Sequence, residues 1–205
     1  MRSVLIWATL GIAVLVPLYA AATSPLLAWR QPVYIAAGFA GILALALLLV
    51  QPLLAGGFLP GLSGLRGRKV HRWIGGLLIG AVILHVAGLW ITSPPDVIDA
   101  LTFTSPTPFS AFGVVAMWTV FAAGLLAALR RRLNLSLRTW RLAHTVLVLV
   151  TVAGTVIHAL LIEGSMETVT KVLFCVLVVL ATLKTVWDLK VWSSPKRRSA
   201  KRAAS

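Results

Sequence analysis

His71-Arg72-Trp73-Ile74-Gly75-Gly76-Leu77-Leu78-Ile79-Gly80-Ala81-Val82-Ile83-Leu84-His85 carries no acidic residue and no charge past Arg72. A second stretch, from His144 to His158, repeats the spacing of its two histidines, and these four are all the histidines of the chain. Fourteen residues of α-helix advance about 21 Å and turn about 1400°, roughly 40° short of four turns. Each His-x13-His pair therefore lies on one face of its helix, with its members near opposite sides of a bilayer. An ionisable side chain inside a membrane is costly and reads as functional, with a partner to be found.

Working outward, six apolar runs are each about long enough to cross a hydrocarbon core of roughly 30 Å. They are Val4–Ala22, Val33–Leu54, His71–Ile91, Ala111–Leu129, Leu142–Ile162 and Val169–Val191. The chain of 205 residues is 59% hydrophobic and 12% charged, with a mean hydropathy of +0.95. The expected fold class is all-α: a polytopic six-helix transmembrane bundle over residues 1–192, followed by a basic cytoplasmic tail at 193–205. The small residues after the first run resemble a signal-peptide end, but its length favours a retained first span.

The net charge of +14 is placed for topology rather than for nucleic acid. Arg66, Arg68, Lys69 and Arg72, then Arg130, Arg131, Arg132, Arg138 and Arg141, then the C-terminal tail, fall on alternate sides of the runs. The other loops hold Asp96, Asp99, Glu163 and Glu167, with Arg30 and Lys171. Lys and Arg mark the cytoplasmic loops, so both termini are expected inside, in a bacterial inner membrane. The loop Gly56–Lys69 reads as flexible. The loop Thr92–Ser110 reads as a cap, its four prolines blocking a continuous helix while Asp96–Phe103 forms a turn or two on the outer surface.

The third and fifth runs have the same parity and cross in the same direction. His71 should then meet His144 on the cytoplasmic side, and His85 should meet His158 toward the outside. Neutral imidazole ligates iron through one nitrogen while its other N–H is oriented by an acceptor. The four histidines are thus read as axial ligands of haem iron, in two bis-histidine sites. Cys175 is the single cysteine, so there is no Cys-x-x-Cys-His attachment and the haem would be of b type. Two histidines about 21 Å apart on one helix cannot share a zinc ion. Arg72 and Arg141 flank the inner pair and are candidates to neutralise haem propionates, or else simple topological anchors. Gly75, Gly76, Gly80, Gly88 and Gly154 are candidates to leave room for a flat macrocycle or to let helices pack closely. Trp73, Trp90, Trp140, Trp187 and Trp192 read as interfacial anchors.

His71-Arg72-Trp73-Ile74-Gly75 with His85, and Arg141-Leu142-Ala143-His144 with His158-Ala159-Leu160, resemble the ferric reductase-like transmembrane domain. That family includes ferric-chelate reductases, NADPH oxidases and the haem-binding subunit of a bacterial methionine sulfoxide reductase system. The resemblance spans roughly the second to sixth runs, and its matching histidines imply ligand roles for His71, His85, His144 and His158. It implies a six-helix bundle holding haem b, one or two groups with two preferred, and passing electrons across the membrane. The larger members carry a C-terminal flavin and nicotinamide domain for which no motif is found here. An oxidoreductase component is therefore expected to draw on a separate donor, a cytoplasmic flavoprotein reductase or quinol, and to deliver to ferric iron or a periplasmic partner. The arginine-rich, leucine-glycine-leucine stretch expected in the methionine sulfoxide reductase subunits is not seen. Two rival readings stay open: a haem-binding anchor subunit of a larger oxidoreductase, and a haem-free transporter or assembly protein.

Overall fold

A computed structural model describes residues 1–190. Val191, Trp192 and the basic tail lie outside the described residues. Seven α-helices follow in order: α1 (Arg2–Ala22), α2 (Pro32–Ala55), α3 (Gly64–Thr92), α4 (Pro94–Leu101), α5 (Pro108–Leu129), α6 (Leu137–Leu161) and α7 (Thr168–Leu189). Among the described residues there is no strand, and every helix but α4 is long and apolar enough to span a membrane. The chain is a multi-pass membrane protein. Its charges sort to two ends of the bundle: a basic end at the starts of α1, α3 and α6, and an acidic end around α4 and the α6–α7 loop.

The packing is organised as two antiparallel hairpins. α2 packs along α3 and α5 along α6, with α7 closing the bundle against α2 and α6. Small residues set these close approaches. A Cβ on Gly88 would fall 2.7 Å from Ala37 Cβ, and one on Gly154 would fall 2.9 Å from Phe112 O. Leu45, Leu48, Leu49, Leu78, Val120 and Val178 fill the centre, all buried. Thr185 adds a buried hydrogen bond, Oγ1 to Pro52 O at 2.9 Å, which ties α7 to α2. By contrast, α3 and α6, the two histidine helices, are not among the closely packed pairs.

Local chemistry explains where the elements begin. Proline at the first positions of α2, α4 and α5 is tolerated because those N–H groups have no intrahelical acceptor. In the third loop Pro94 and Pro95 therefore start a helix, and α4 forms at 94–101 rather than 96–103. α3 begins at Gly64, earlier than its apolar run, so Arg66, Arg68 and Lys69 sit on a helix that extends past the apolar segment instead of in a loop. Glu167 caps α7 by accepting from Val169 N–H at 2.7 Å and Thr170 N–H at 2.9 Å. Those donations, Thr170 foremost, hold its carboxyl below the ordinary carboxylate range. The cap is complete above that range and is lost as pH falls through the depressed value.

Candidate functional site

Each histidine meets the partner expected from helix direction. The His71 and His144 rings lie 6.5 Å apart between centroids at 69°. His85 and His158 lie 6.4 Å apart at 79°. Those distances are informative. Direct hydrogen bonding between two imidazole nitrogens needs about 3 Å between them, hence ring centres close to 5 Å. Two metal–imidazole bonds of about 2.0–2.1 Å, with each nitrogen about 1.1–1.2 Å from its ring centre, put the centres about 6.2–6.6 Å apart. Both pairs fall in the second interval.

In three of the four rings the Nδ1 nitrogen is held by the neighbouring helix. His85 Nδ1 lies 2.8 Å from Ala37 O, His158 Nδ1 lies 2.8 Å from Phe109 O, and His71 Nδ1 lies 3.2 Å from Gln51 O. With Nδ1–H donating to a carbonyl, the lone pair is on Nε2, the arrangement that a metal-ligating histidine requires. A helix carbonyl has a second lone pair free for this bond. Gln51 adds a return bond, Nε2 to His71 O at 3.2 Å. His144 differs: its Nδ1 points toward Ala123 without closing a hydrogen bond of normal geometry. Its ring instead stacks on Trp140 at 5.5 Å and 12°, and the Arg130 guanidinium covers Trp140 at 4.6 Å. Trp140 is thus a positioning residue for His144 rather than a simple interfacial anchor. Trp73, Trp90 and Trp187 are exposed as anchors would be.

Two glycines that sequence reading passed over lie directly beneath the rings. A Cβ on Gly41 would sit 3.0 Å from His85 Nδ1, and one on Gly113 would sit 2.7 Å from His158 Nδ1. Each follows its accepting carbonyl by one helical turn, Ala37 before Gly41 and Phe109 before Gly113. A signal existed in the sequence. Ala37, Gly41 and Gln51 recur as Phe109, Gly113 and Ala123 at an offset of 72, and His71 and His85 recur as His144 and His158 at an offset of 73. The two hairpins are one design used twice, and its chemistry lies in backbone carbonyls that no side-chain pattern reveals. Among the glycines singled out from sequence, a Cβ on Gly75 would sit 3.0 Å from Gln51 Nε2, Gly88 and Gly154 serve helix packing, and a Cβ on Gly76 or Gly80 would meet nothing within 4 Å.

The His85–His158 pair opens on a cavity of about 810 Å³ at the acidic end, lined by residues of α2, α3, α4, α5 and α6. Gly41, Gly113, His85 and His158 all line it. At the basic end, three buried polar atoms lack a hydrogen-bond partner among the described residues: Gln51 Oε1, Trp140 Nε1 and His144 Nδ1. All belong to residues around the His71–His144 pair. Buried polar groups are normally satisfied, so this cluster fits a polar guest between the helices. Arg141 is half-buried and donates from Nη2 to Leu189 O at 3.0 Å, while Arg72 is exposed on α3.

No group of three or more metal-ligating side chains exists among the described residues. Two imidazoles alone are a poor site for a free ion, but they suit a planar macrocycle that supplies its own equatorial donors. Fold and geometry together define a multi-pass helical membrane protein with two pairs of facing imidazoles at two levels of the bundle. The chain belongs to the ferric reductase like transmembrane component family, whose profile matches residues 40–155. The match runs from inside α2 to inside α6; it contains His71, His85 and His144 and stops three residues before His158. It covers less than the resemblance read from sequence, which reached the sixth run. Comparison with curated proteins and with solved structures gave no match.

Proposed function

We propose that this protein is a dihaem b-type cytochrome that carries electrons across the membrane between its basic and acidic ends. The observation that carries the reading is the pair of imidazole couples at 6.5 and 6.4 Å between ring centres, the separation that an iron ligated by both rings would require. Haem bound at each level supplies one-electron iron chemistry. His71 with His144, and His85 with His158, would hold the iron at the two levels. Ala37, Phe109 and Gln51 carbonyls fix the ligating tautomer. Held by two histidines, the iron would have no open place for oxygen or substrate, and the chemistry it would supply is electron transfer. The two levels are about 21 Å apart along the helices. Arg141, through the guanidinium N–H groups not bonded to Leu189, and Arg72 are placed to neutralise carboxylates of the inner group.

The basic end is read as cytoplasmic and the membrane as a bacterial inner membrane. The arginines of the α5–α6 loop give an acidic flavoprotein donor, or a quinol at the headgroup layer, a place to deliver electrons. The acceptor is then ferric iron or a periplasmic protein at the acidic end. Protein expressed with ample haem is expected to bind two haems per chain and to show a reduced b-type spectrum. The ferric form is expected to give the highly anisotropic low-spin resonance of near-perpendicular axial imidazoles. A preparation that binds no haem under those conditions would sink the reading, and one haem per chain would reduce it to a single level.

A further inference from the structure

Lys171 lies in the first turn of α7, is 7% exposed, and is among the residues lining the cavity that His85 and His158 also line. Its ammonium donates to Ile162 O at 2.8 Å, at the C-terminal end of α6. An ammonium has three donors, so that bond leaves two. The carboxylates around it are engaged elsewhere or stand at the rim. Glu167, four residues earlier on the same helix, accepts from Val169 N–H and Thr170 N–H. Asp96 accepts from the Ser93 hydroxyl and Asp99 from the Thr104 hydroxyl; these two and Glu163 are exposed. Among the described residues the one ion pair is Lys184–Asp188, at the other end of the bundle. Among the described residues no carboxylate comes within 4 Å of the buried Lys171 ammonium, Glu167 acting on its charge only from farther off, and Lys171 lines a large cavity.

Burying an ammonium is costly unless it is paired. The α6 C-terminus offers only a partial negative charge, which accounts for one donor and part of the charge. We propose that Lys171 is the anion anchor of the outer cavity and binds a carboxylate there. This rests on the cytochrome reading, and it gives the cavity's interior a chemistry that its acidic rim does not. A carboxylate has two sources in such a site: a propionate of the outer haem, or a carboxylate-bearing acceptor such as a ferric chelate.

Wild type, K171Q and K171R, purified as the full chain with haem, separate them. Haem per chain and both midpoint potentials are measured, together with re-oxidation of the reduced protein by ferric citrate and by hexaammineruthenium(III). A propionate anchor predicts that K171Q lowers one midpoint or loosens one haem, with the ratio of the two oxidation rates unchanged. An acceptor anchor predicts unchanged haem and midpoints, with the ferric citrate rate falling about tenfold against the cationic oxidant, the size of one charge-assisted hydrogen bond. In either case K171R restores wild-type behaviour. K171Q matching wild type in every measurement overturns the proposal, as does equal damage in K171Q and K171R, which would assign Lys171 to packing on α6. Wild type without haem overturns the cytochrome reading instead, and the anchor falls with it.

Discussion

His158→Ala is expected to remove one haem per chain, the outer one, and to leave the His71–His144 haem in place. The two levels are about 21 Å apart along the helices, well beyond the 7–10 Å or so within which substitutions couple. The outer imidazoles face each other across a 6.4 Å gap between ring centres, so loss of one leaves His85 with no partner across it. His85 keeps its bond to Ala37 O and stays in its cavity, which makes the variant a local lesion. Electron transfer across vesicles containing the variant should fall at least about a hundredfold, since losing an axial ligand exceeds the 10- to 100-fold typical of losing its hydrogen-bonded support. The optical spectrum should retain a low-spin component from the inner pair. His71→Ala makes the mirror prediction. If His158→Ala keeps two low-spin haems, the pairing of His85 with His158 through iron is wrong.

Sequence reading reached the spans and the pairing because both rest on periodicities that survive in side chains. Apolar length fixes six crossings, and a fourteen-residue interval on two helices of equal parity fixes which histidine meets which. It does not reach the acceptors, because Ala37, Phe109 and Gln51 act through main-chain carbonyls and any residue has one. The glycines are legible only in part, for a related reason. Gly88 and Gly154 let helices pack closely, one of the two roles their sequence suggests, whereas Gly41 and Gly113, far from the histidines in sequence, lie beneath the rings from the opposite helix of each hairpin. Trp140 was misassigned because a tryptophan near a span end has the same appearance whether it meets headgroups or stacks, four residues before it, on His144. Lys171 reads from sequence as a loop charge, because its burial in the first turn of α7 comes from packing between helices that the sequence does not display.

Gly113→Ala is expected to cost the outer haem without touching a ligand. A methyl group there would fall 2.7 Å from His158 Nδ1 and 2.9 Å from Cε1, closer than real contacts allow. A free surface histidine would swing away cheaply. This one is held at Phe109 O by a 2.8 Å bond and packs edge-on against the Phe109 ring at 5.8 Å. The ring must therefore break its Nδ1 bond or tilt Nε2 off the axis to His85, and overpacking of this kind costs about 1–3 kcal/mol. Either movement weakens ligation, by about 10- to 100-fold where the supporting hydrogen bond is lost. Gly41→Ala presses on His85 Nδ1 from 3.0 Å, a contact that a shift of a few tenths of an ångström relieves, so its effect should be smaller. Gly76→Ala meets nothing within 4 Å and should bind haem as wild type does, with a slightly firmer helix. Haem content and low-spin absorbance of the three variants should therefore fall in the order Gly76→Ala, Gly41→Ala, Gly113→Ala. A flat series would mean that the rings turn freely, and that the main-chain carbonyls do not set the ligand geometry.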